Sequence, residues 1–253
     1  MHTAPAPLLT PAQLASYRNE GWCLLPACLP AEQLALLRAI CDDNVRRIDA
    51  ELAASGRETD GRLNRRGSRW FIGNPSHSDP RIRAVTHGPL LSGIAQALLG
   101  DEVHTFWEQY VVKAAETGCR FAWHQDSAYV DHDHPPYLTC WVALDDMSEA
   151  NGTASILPFS RAPSRGRLPH RQDPELNDLV GYEGTDPGDL VNCPAGSIAF
   201  FSSLTLHRSG MNTSPALRRV YLIQYSGAVI RSPDGKPCGQ SDPVVLGGRP
   251  VGP

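Results

Sequence analysis

The stretch Trp123-His124-Gln125-Asp126 determines how this chain is interpreted, together with a distant partner at His207. We predict that residues 123–126 lie on a strand, where side chains alternate between the two faces of a sheet. His124 and Asp126 would then project from the same face. A His-x-Asp pair alone is weak evidence, because any strand can carry one by chance. The segment that begins at His207 makes a three-ligand metal site the better interpretation.

This second segment, residues 206–225, reads LHRSGMNTSPALRRVYLIQY. It predicts a strand end, a turn-rich loop, and then a β-branched and aromatic strand that opens with Arg218 and Arg219. Adjacent residues on a strand face opposite ways, so only one of the two arginines points inward. Two histidines and one carboxylate on one face of an octahedral metal are the ligands of non-haem Fe(II) oxygenases. His124, Asp126 and His207 are therefore the predicted metal ligands and the predicted catalytic centre.

The two segments together resemble the phytanoyl-CoA dioxygenase family. The family pattern is His, then Gly or Arg, Ser, Gly, any residue and Asn, with an Arg eleven positions after the His, which here is Arg218. The resemblance extends roughly from Leu9 to Ser226. It implies the cofactors Fe(II), 2-oxoglutarate and O2, with Arg218 pairing with the distal carboxylate of 2-oxoglutarate.

Four further residues are candidates for the cosubstrate pocket. Gln109 and Lys113 share one face of a largely apolar predicted strand. The resemblance implies that Lys113 lines the pocket, although a Lys at a strand end can equally extend into solvent. It also places Trp141 near the cosubstrate, and a core Trp would be compatible with that. Ser209, two positions after the ligand His207, could donate to the same carboxylate or orient the His.

The substrate candidates are Arg69 and Tyr129. Arg69 ends a basic, Gly-rich stretch at residues 57–69 and is followed by Trp70 and Phe71. Such a loop is often simply solvated, but an Arg beside aromatic residues is a common recognition pairing. We predict a flap that favours a small polar or anionic molecule. The stretch 131–136, with two histidines, is predicted to be a surface loop or lid.

Composition limits the remaining possibilities. At 253 residues with 41% hydrophobic content, the chain fits a single domain. A net charge of −4 argues against nucleic acid or an anionic membrane as the main partner. Seven cysteines without a Cys-x-x-Cys pair predict reduced thiols. With no signal peptide or apolar span, we expect a cytoplasmic protein that binds a small molecule as a monomer or weak homo-oligomer.

Many short strands separated by turns predict a mainly β fold with flanking helices. The resemblance implies a double-stranded β-helix, a cupin-like jelly roll, supported by N-terminal helices. We divide a single oxygenase domain, residues 1–253, into a tail (1–9), helical support and flap (10–100), a β-helix core (101–227) and an irregular tail (228–253).

The resulting functional hypothesis is a hydroxylase that couples oxidation of an unactivated C–H bond to the release of succinate and CO2. The carboxylate of Asp126 favours hydroxylation, desaturation or ring formation over halogenation, because halogenases of this kind carry a small residue there. The alternative is a catalytically inert, cupin-like small-molecule-binding protein. A Ser-His-Asp hydrolase is disfavoured because the chain has no Gly-x-Ser-x-Gly elbow.

Overall fold

The structure, a computed structural model, describes residues 8–61, 63–116, 119–173 and 178–253. Its α-helices are α1 (Pro11–Glu20), α2 (Ala31–Ala54), α3 (Pro75–Ser78), α4 (Arg83–Thr86) and α5 (Pro89–Leu99). Short 3₁₀ helices span Pro80–Ile82, Asp126–Tyr129 and Glu149–Asn151. The strands of the first half are β1 (Trp22–Leu25), β2 (Arg69–Gly73), β3 (Val103–Lys113), β4 (Phe121–His124), β5 (Leu138–Ala143) and β6 (Ala154–Leu157). Those of the second half are β7 (Arg171–Gln172), β8 (Leu179–Val180), β9 (Asp189–Leu190), β10 (Ile198–Ser202), β11 (Leu206–Ser209), β12 (Arg218–Ser226), β13 (Pro243–Leu246) and β14 (Arg249–Pro250).

Two antiparallel sheets form the body of the protein. The larger has the strand order β1-β10-β5-β12-β3-β13-β14, with β2 also paired to β3. The smaller has the order β4-β11-β6-β9, and β7 and β8 form a separate pair. In both sheets, most strands that are hydrogen-bonded neighbours are not consecutive in the sequence. This arrangement is typical of a jelly roll rather than a meander. The predicted mainly β class with flanking helices is confirmed.

The strict alternation along the strands of the large sheet explains how it is buried on both faces. On the outer face, Tyr221 and Ile223 pack in one apolar cluster with Leu37 and Cys41 of α2. On the inner face, Leu222 packs with residues of the smaller sheet in a second cluster. The helices therefore cover the outside of the large sheet, and the space between the sheets is left for a site.

A hydrogen-bonded capping box marks the start of the N-terminal helix α1. Thr10 caps α1 by accepting from the Gln13 amide at 3.2 Å, and the Gln13 side chain accepts from the Thr10 amide at 2.8 Å. This reciprocal capping box satisfies two amides that the first turn would leave unpaired. Residues 1–7 of the predicted tail, and Arg62 in the basic stretch, lie outside the described residues.

Two stretches differ from the sequence expectation. The C-terminal segment expected to be irregular contains β13, which pairs with the beginning of β3, and the flap contains β2, which pairs with its end. β3 is 11 residues long and β12 occupies one of its edges, so two short strands cover the other edge and satisfy its backbone groups. In the part of the chain that is described, no helix is both long and apolar enough to cross a bilayer. The seven cysteines are free thiols.

Candidate metal centre

Cross-strand pairing brings the two predicted histidine ligands together. His124 is the last residue of β4, and His207 lies directly opposite it on the antiparallel strand β11. Their imidazole rings have centroids 4.2 Å apart. Residues far apart in the sequence are thus placed side by side by the register of two strands in the smaller sheet.

Asp126 reaches the same site by a route that differs from the prediction. The strand ends at His124, and Asp126 begins a 3₁₀ helix rather than continuing the strand. Gln125 between them stays extended, with φ −109° and ψ 139°, so the carboxylate still returns to the face of His124. The Oδ1 atom of Asp126 lies 3.6 Å from Nε2 of His207. The prediction of a shared face is correct, but the expectation that strand geometry alone produces it is wrong.

A buried amide holds this turn in place. Gln125 is fully buried, and its Nε2 donates to the carbonyls of Leu204 at 2.6 Å and Gly166 at 2.9 Å. Its Oε1 accepts from the amide of Leu168 at 2.8 Å. Sequence reasoning did not single out Gln125, because its partners come from a distant connection.

The backbone fixes which imidazole nitrogens face the centre. Nδ1 of His124 lies 2.8 Å from the carbonyl of Ala122, and Nδ1 of His207 lies 3.1 Å from that of Thr205. With these nitrogens donating to carbonyls, Nε2 of each ring carries the free lone pair. The ligand atoms of His124, Asp126 and His207 all lie within 4.8 Å of one another, and they form the only such metal-binding cluster among the described residues.

Electrostatics keeps His124 ready to bind a metal. Burial, and then the electrostatic interaction with His207, lower the pKa of His124 to about 4. The imidazole is therefore neutral near pH 7, which is the form that a metal ion requires. Two nitrogens and one carboxylate oxygen are a donor set that suits Fe(II) and leave one face of the metal open.

Two residues that sequence reasoning missed hold the carboxylate. Oδ2 of Asp126 accepts from Oγ1 of Thr139 at 2.5 Å and from Nε2 of Gln224 at 3.0 Å. Thr139 and Gln224 are themselves cross-strand neighbours on β5 and β12. These bonds occupy one carboxylate oxygen and leave Oδ1 directed at the histidines. In the sequence, Thr139 and Gln224 could have been recognised because each is a polar residue whose nearest inward-facing neighbour on the strand, Trp141 or Leu222, is apolar.

Behind the metal centre lie two buried basic side chains. Arg218 and Lys113 are directly opposed on β12 and β3, and their exposed fractions are 2% and 0%. Neither forms a salt bridge with a carboxylate of the described residues. Nη2 of Arg218 donates to the carbonyl of Gly152 at 2.9 Å, whereas its Nε has no hydrogen-bond partner. Burial lowers the pKa of Arg218 to about 10.

Lys113 points into the pocket, so the solvent-exposed alternative is wrong for this residue. Its Nζ donates to Oγ of Ser209 at 2.8 Å and also contacts the carbonyl of Gly210. Burial, and then the charge of Arg218, lower the pKa of Lys113 to about 5. A buried guanidinium with an unpaired nitrogen, next to a buried amine that can donate a hydrogen bond, fits a ligand with an anionic end, because an unpaired buried charge is costly.

The other candidates for the cosubstrate pocket are distributed around this pair. Trp141 is buried on the inner face of β5, opposite Leu222 of β12. Gln109 is half-buried on β3 and accepts from Nε1 of Trp107 at 3.3 Å. Arg219, by contrast, faces away from the site. Of the two adjacent arginines, the structure therefore directs Arg218 inward.

The predicted substrate residues lie at the edge of the site. Arg69 pairs with Lys113 across β2 and β3 and is half-buried, with Nε donating to the carbonyl of Leu63 at 2.8 Å. The ring of Tyr129 lies 5.8 Å from that of His124 and is 61% exposed. A nearby cavity of 970 Å³ is lined by Ser209, but by none of the three ligand residues. We therefore assign the site from the ligand geometry and not from that cavity.

Sequence comparison identifies a protein family that this chain matches and relatives within it. The sequence profile of the family described as phytanoyl-CoA dioxygenase matches residues 17–220. A probable alpha-ketoglutarate-dependent hypophosphite dioxygenase of Stutzerimonas stutzeri is 26% identical over 85% of this chain and 78% of its own. L-proline trans-4-hydroxylase of Streptomyces griseoviridis is 27% identical, covering 83% of this chain and 84% of its own.

Solved structures share the fold. The non-heme alpha ketoglutarate dependent carbocyclase SnoK from nogalamycin biosynthesis has a TM-score of 0.70 at 24% identity, covering 95% of this chain and 96% of its own. EvdO2 from Micromonospora carbonacea var. aurantiaca, complexed with 2-oxoglutarate, has a TM-score of 0.68 at 24% identity, covering 96% and 97%. Since the matched profile spans most of the sequence, this chain belongs to the phytanoyl-CoA dioxygenase family.

Proposed function

We propose that this protein is a non-haem Fe(II)- and 2-oxoglutarate-dependent dioxygenase that hydroxylates an unactivated C–H bond of a small molecule. The observation that carries the proposal is one arrangement of side chains. A complete set of two imidazoles and one carboxylate lies beside two buried basic side chains, Arg218 and Lys113, that have no carboxylate partner among the described residues. The first group matches Fe(II), and the second matches a cosubstrate with a remote carboxylate.

His124, Asp126 and His207 would hold the iron on one face. When bound, Fe(II) together with 2-oxoglutarate and O2 supplies the oxidising power for hydroxylation, with release of succinate and CO2. The protein contributes orientation: the Ala122 and Thr205 carbonyls fix the imidazoles. Loss of such an outer hydrogen-bond partner commonly weakens metal affinity by roughly 10–100-fold.

Arg218 would bind the distal carboxylate of 2-oxoglutarate. Its planar guanidinium can donate two parallel hydrogen bonds, which fix orientation as well as affinity. Lys113 would add a second donor, and Ser209, which now accepts from Lys113, would hold that amine in position. Trp141 and Gln109 would line the remainder of the pocket. With a metal ion bound, Asp126 would supply the ligand that is replaced by a halide in related halogenases, which favours hydroxylation over halogenation.

The relatives support a small-molecule substrate without identifying it. Their names specify hypophosphite, L-proline and ectoine, which are all small and polar. The alternative of an inert binding protein would require loss of a metal ligand or of the cosubstrate arginine. In this chain the three predicted ligands lie close enough together to share one metal ion, and Arg218 is buried nearby. A binding protein without catalysis has no need to retain this arrangement.

The test is succinate formation by the purified protein supplied with Fe(II), ascorbate and 2-oxoglutarate. We expect slow conversion without substrate and faster conversion with the correct one. Asp126→Ala should abolish both, because it removes a metal ligand. Turnover that survives this substitution would refute the assignment.

Three further features remain predictions from the sequence: a single domain over residues 1–253, a cytoplasmic location, and a monomeric or weakly associating state. Light scattering of the purified protein across concentrations tests the last of these. A stable dimer at low micromolar concentration would contradict it.

A further inference from the structure

The segment that leads into β8 places an acidic side chain beside the strand that carries His124. The amide of Gly181 donates to the carbonyl of Trp123 at 2.8 Å, so the chain near β8 runs alongside β4. Asp178 immediately precedes β8, and the amide of Ala122 forms a hydrogen bond with its side chain. Asp178 is thereby held beside the backbone of Ala122, two residues before the metal ligand His124.

This carboxylate is buried but incompletely satisfied. Asp178 is 6% exposed, and its Oδ2 has no hydrogen-bond partner among the residues that the structure describes. Its main-chain carbonyl, and not its side chain, accepts from the amide of Asp173 at 2.7 Å. A buried acceptor left without a donor is rare in native proteins and often marks a place where a ligand binds.

The groups around Asp178 belong to the mouth of the metal site. The charge of Arg69 acts on its carboxyl, and its own charge acts on the phenol of Tyr129. Among the described residues, Asp178 forms no salt bridge with any of them. The Arg69 side chain instead donates a hydrogen bond from Nε to the carbonyl of Leu63. The mouth thus presents one carboxylate and one guanidinium that are near each other and not joined.

Burial raises the pKa of Asp178, and the Ala122 amide and the charges of His124 and Arg69 oppose this shift. A buried carboxylate that stays ionised needs a positive partner, since desolvation is not otherwise repaid. A hydroxyl donor would satisfy the oxygen but leave the charge uncompensated. A cationic nitrogen satisfies both requirements.

We propose that Asp178 is a specificity-determining residue that binds the positively charged nitrogen of a zwitterionic substrate, while Arg69 binds its anionic group. The basis is the buried carboxylate oxygen of Asp178, which has no partner among the described residues, together with the half-buried guanidinium of Arg69, whose charge acts on that carboxylate. This inference rests on the proposed dioxygenase function and narrows its substrate to compounds that resemble an amino acid in their charges.

The experiment measures succinate formation above the substrate-free rate with matched probes. A set of cyclic and acyclic α-amino acids is compared with the N-acetyl derivative and the methyl ester of each. N-acetylation removes the cation and esterification removes the anion, while the carbon skeleton is kept. We expect kcat/KM for the stimulating amino acid to exceed that of its N-acetyl derivative by at least about tenfold.

Asp178→Asn removes the charge while it preserves size, and it should eliminate this discrimination. Asp178→Glu should restore part of it, which a purely structural role for Asp178 would not predict. Glu183→Gln is the matched control, because Glu183 is an exposed acid of the same connection that pairs with Arg171. That control should keep the discrimination at the level of the unmodified protein.

Three results would overturn the inference: no amino acid of the set stimulates, N-acetyl derivatives work as well as their parents, or Asp178→Asn keeps the preference. The substrate-free reaction separates this failure from failure of the proposed function. If the unmodified protein converts no 2-oxoglutarate under any condition, the dioxygenase assignment itself fails. If it converts 2-oxoglutarate but shows no preference for zwitterions, only the role of Asp178 fails.

Discussion

Replacing Arg218 with Met should make the protein more stable and its cosubstrate binding weaker. Arg218 is 2% exposed, has no carboxylate partner among the described residues and has an unsatisfied Nε. A charge in this position is unfavourable for folding in the absence of ligand. It persists, in our interpretation, because it binds the distal carboxylate of 2-oxoglutarate.

The magnitude follows from the titration of the guanidinium. Burial lowers the pKa of Arg218 from 12.5 to about 10. One pKa unit corresponds to about 1.4 kcal/mol, so the charged form is disfavoured in the folded protein by about 3 kcal/mol. Since Arg218 is protonated in both states at pH 7, the whole penalty acts there, and it is relieved only as the pH rises from 10 towards 12.5. Loss of the hydrogen bond to Gly152 offsets about 1 kcal/mol, so we expect a net gain of about 2 kcal/mol.

Cosubstrate binding should change in the opposite direction. Removing one partner of a buried, hydrogen-bonded charge pair costs about 2–5 kcal/mol, which raises KM for 2-oxoglutarate by at least about 30-fold. Urea unfolding followed by tryptophan fluorescence measures the first effect, and succinate formation against 2-oxoglutarate concentration measures the second. Saturating 2-oxoglutarate should raise the Tm of the unmodified protein but not that of the variant.

Arg219→Met is the matched control, one residue away on the opposite face. Nη1 of Arg219 donates to Asp42 at 2.9 Å and Nη2 to Asp145 at 2.6 Å. This substitution should lower the free energy of unfolding by about 2 kcal/mol and leave KM for 2-oxoglutarate unchanged. If Arg218→Met destabilises the protein and leaves KM unaltered, Arg218 is a structural residue and the reasoning is refuted.

Three other predictions concern the same site. His207→Ala and Asp126→Ala should each eliminate Fe(II) binding, measured by equilibrium dialysis; retained stoichiometric iron would contradict the assigned ligands. Thr139→Val removes the donor to Oδ2 of Asp126 and should weaken Fe(II) affinity by about 10–100-fold in a chelator competition, whereas unaltered affinity would show that the bond is dispensable. Lys113→Met should stabilise the protein most at and below about pH 5 and progressively less towards pH 10, because the lowered pKa of Lys113 means that the unfolded chain alone holds this proton between pH 5 and 10.5. A gain independent of pH, in urea unfolding at several pH values, would exclude that origin.

Much of the site was predictable from residue order. The spacing of His207 and Arg218, and the His-x-Asp of His124 and Asp126, depend on short-range geometry that a sequence displays directly. Alternation along β12 also separates Arg218 from Arg219, although the choice between them required the family spacing. The β class followed from the many short apolar runs between turn residues.

What tertiary structure alone decided is the set of groups that surround these residues. Thr139 and Gln224 hold Asp126 only because β5 and β12 are paired in one register, and a shift of β12 by one residue would turn Gln224 to the other face. Gln125 and Asp178 acquire their roles from connections distant in sequence. The sequence by itself therefore predicted the candidate ligands, through their spacing and the family pattern, and the fold class, through short apolar runs between turns. The long-range pairing of strands, which no local pattern encodes, determined the partners, the burial and the charge of the site.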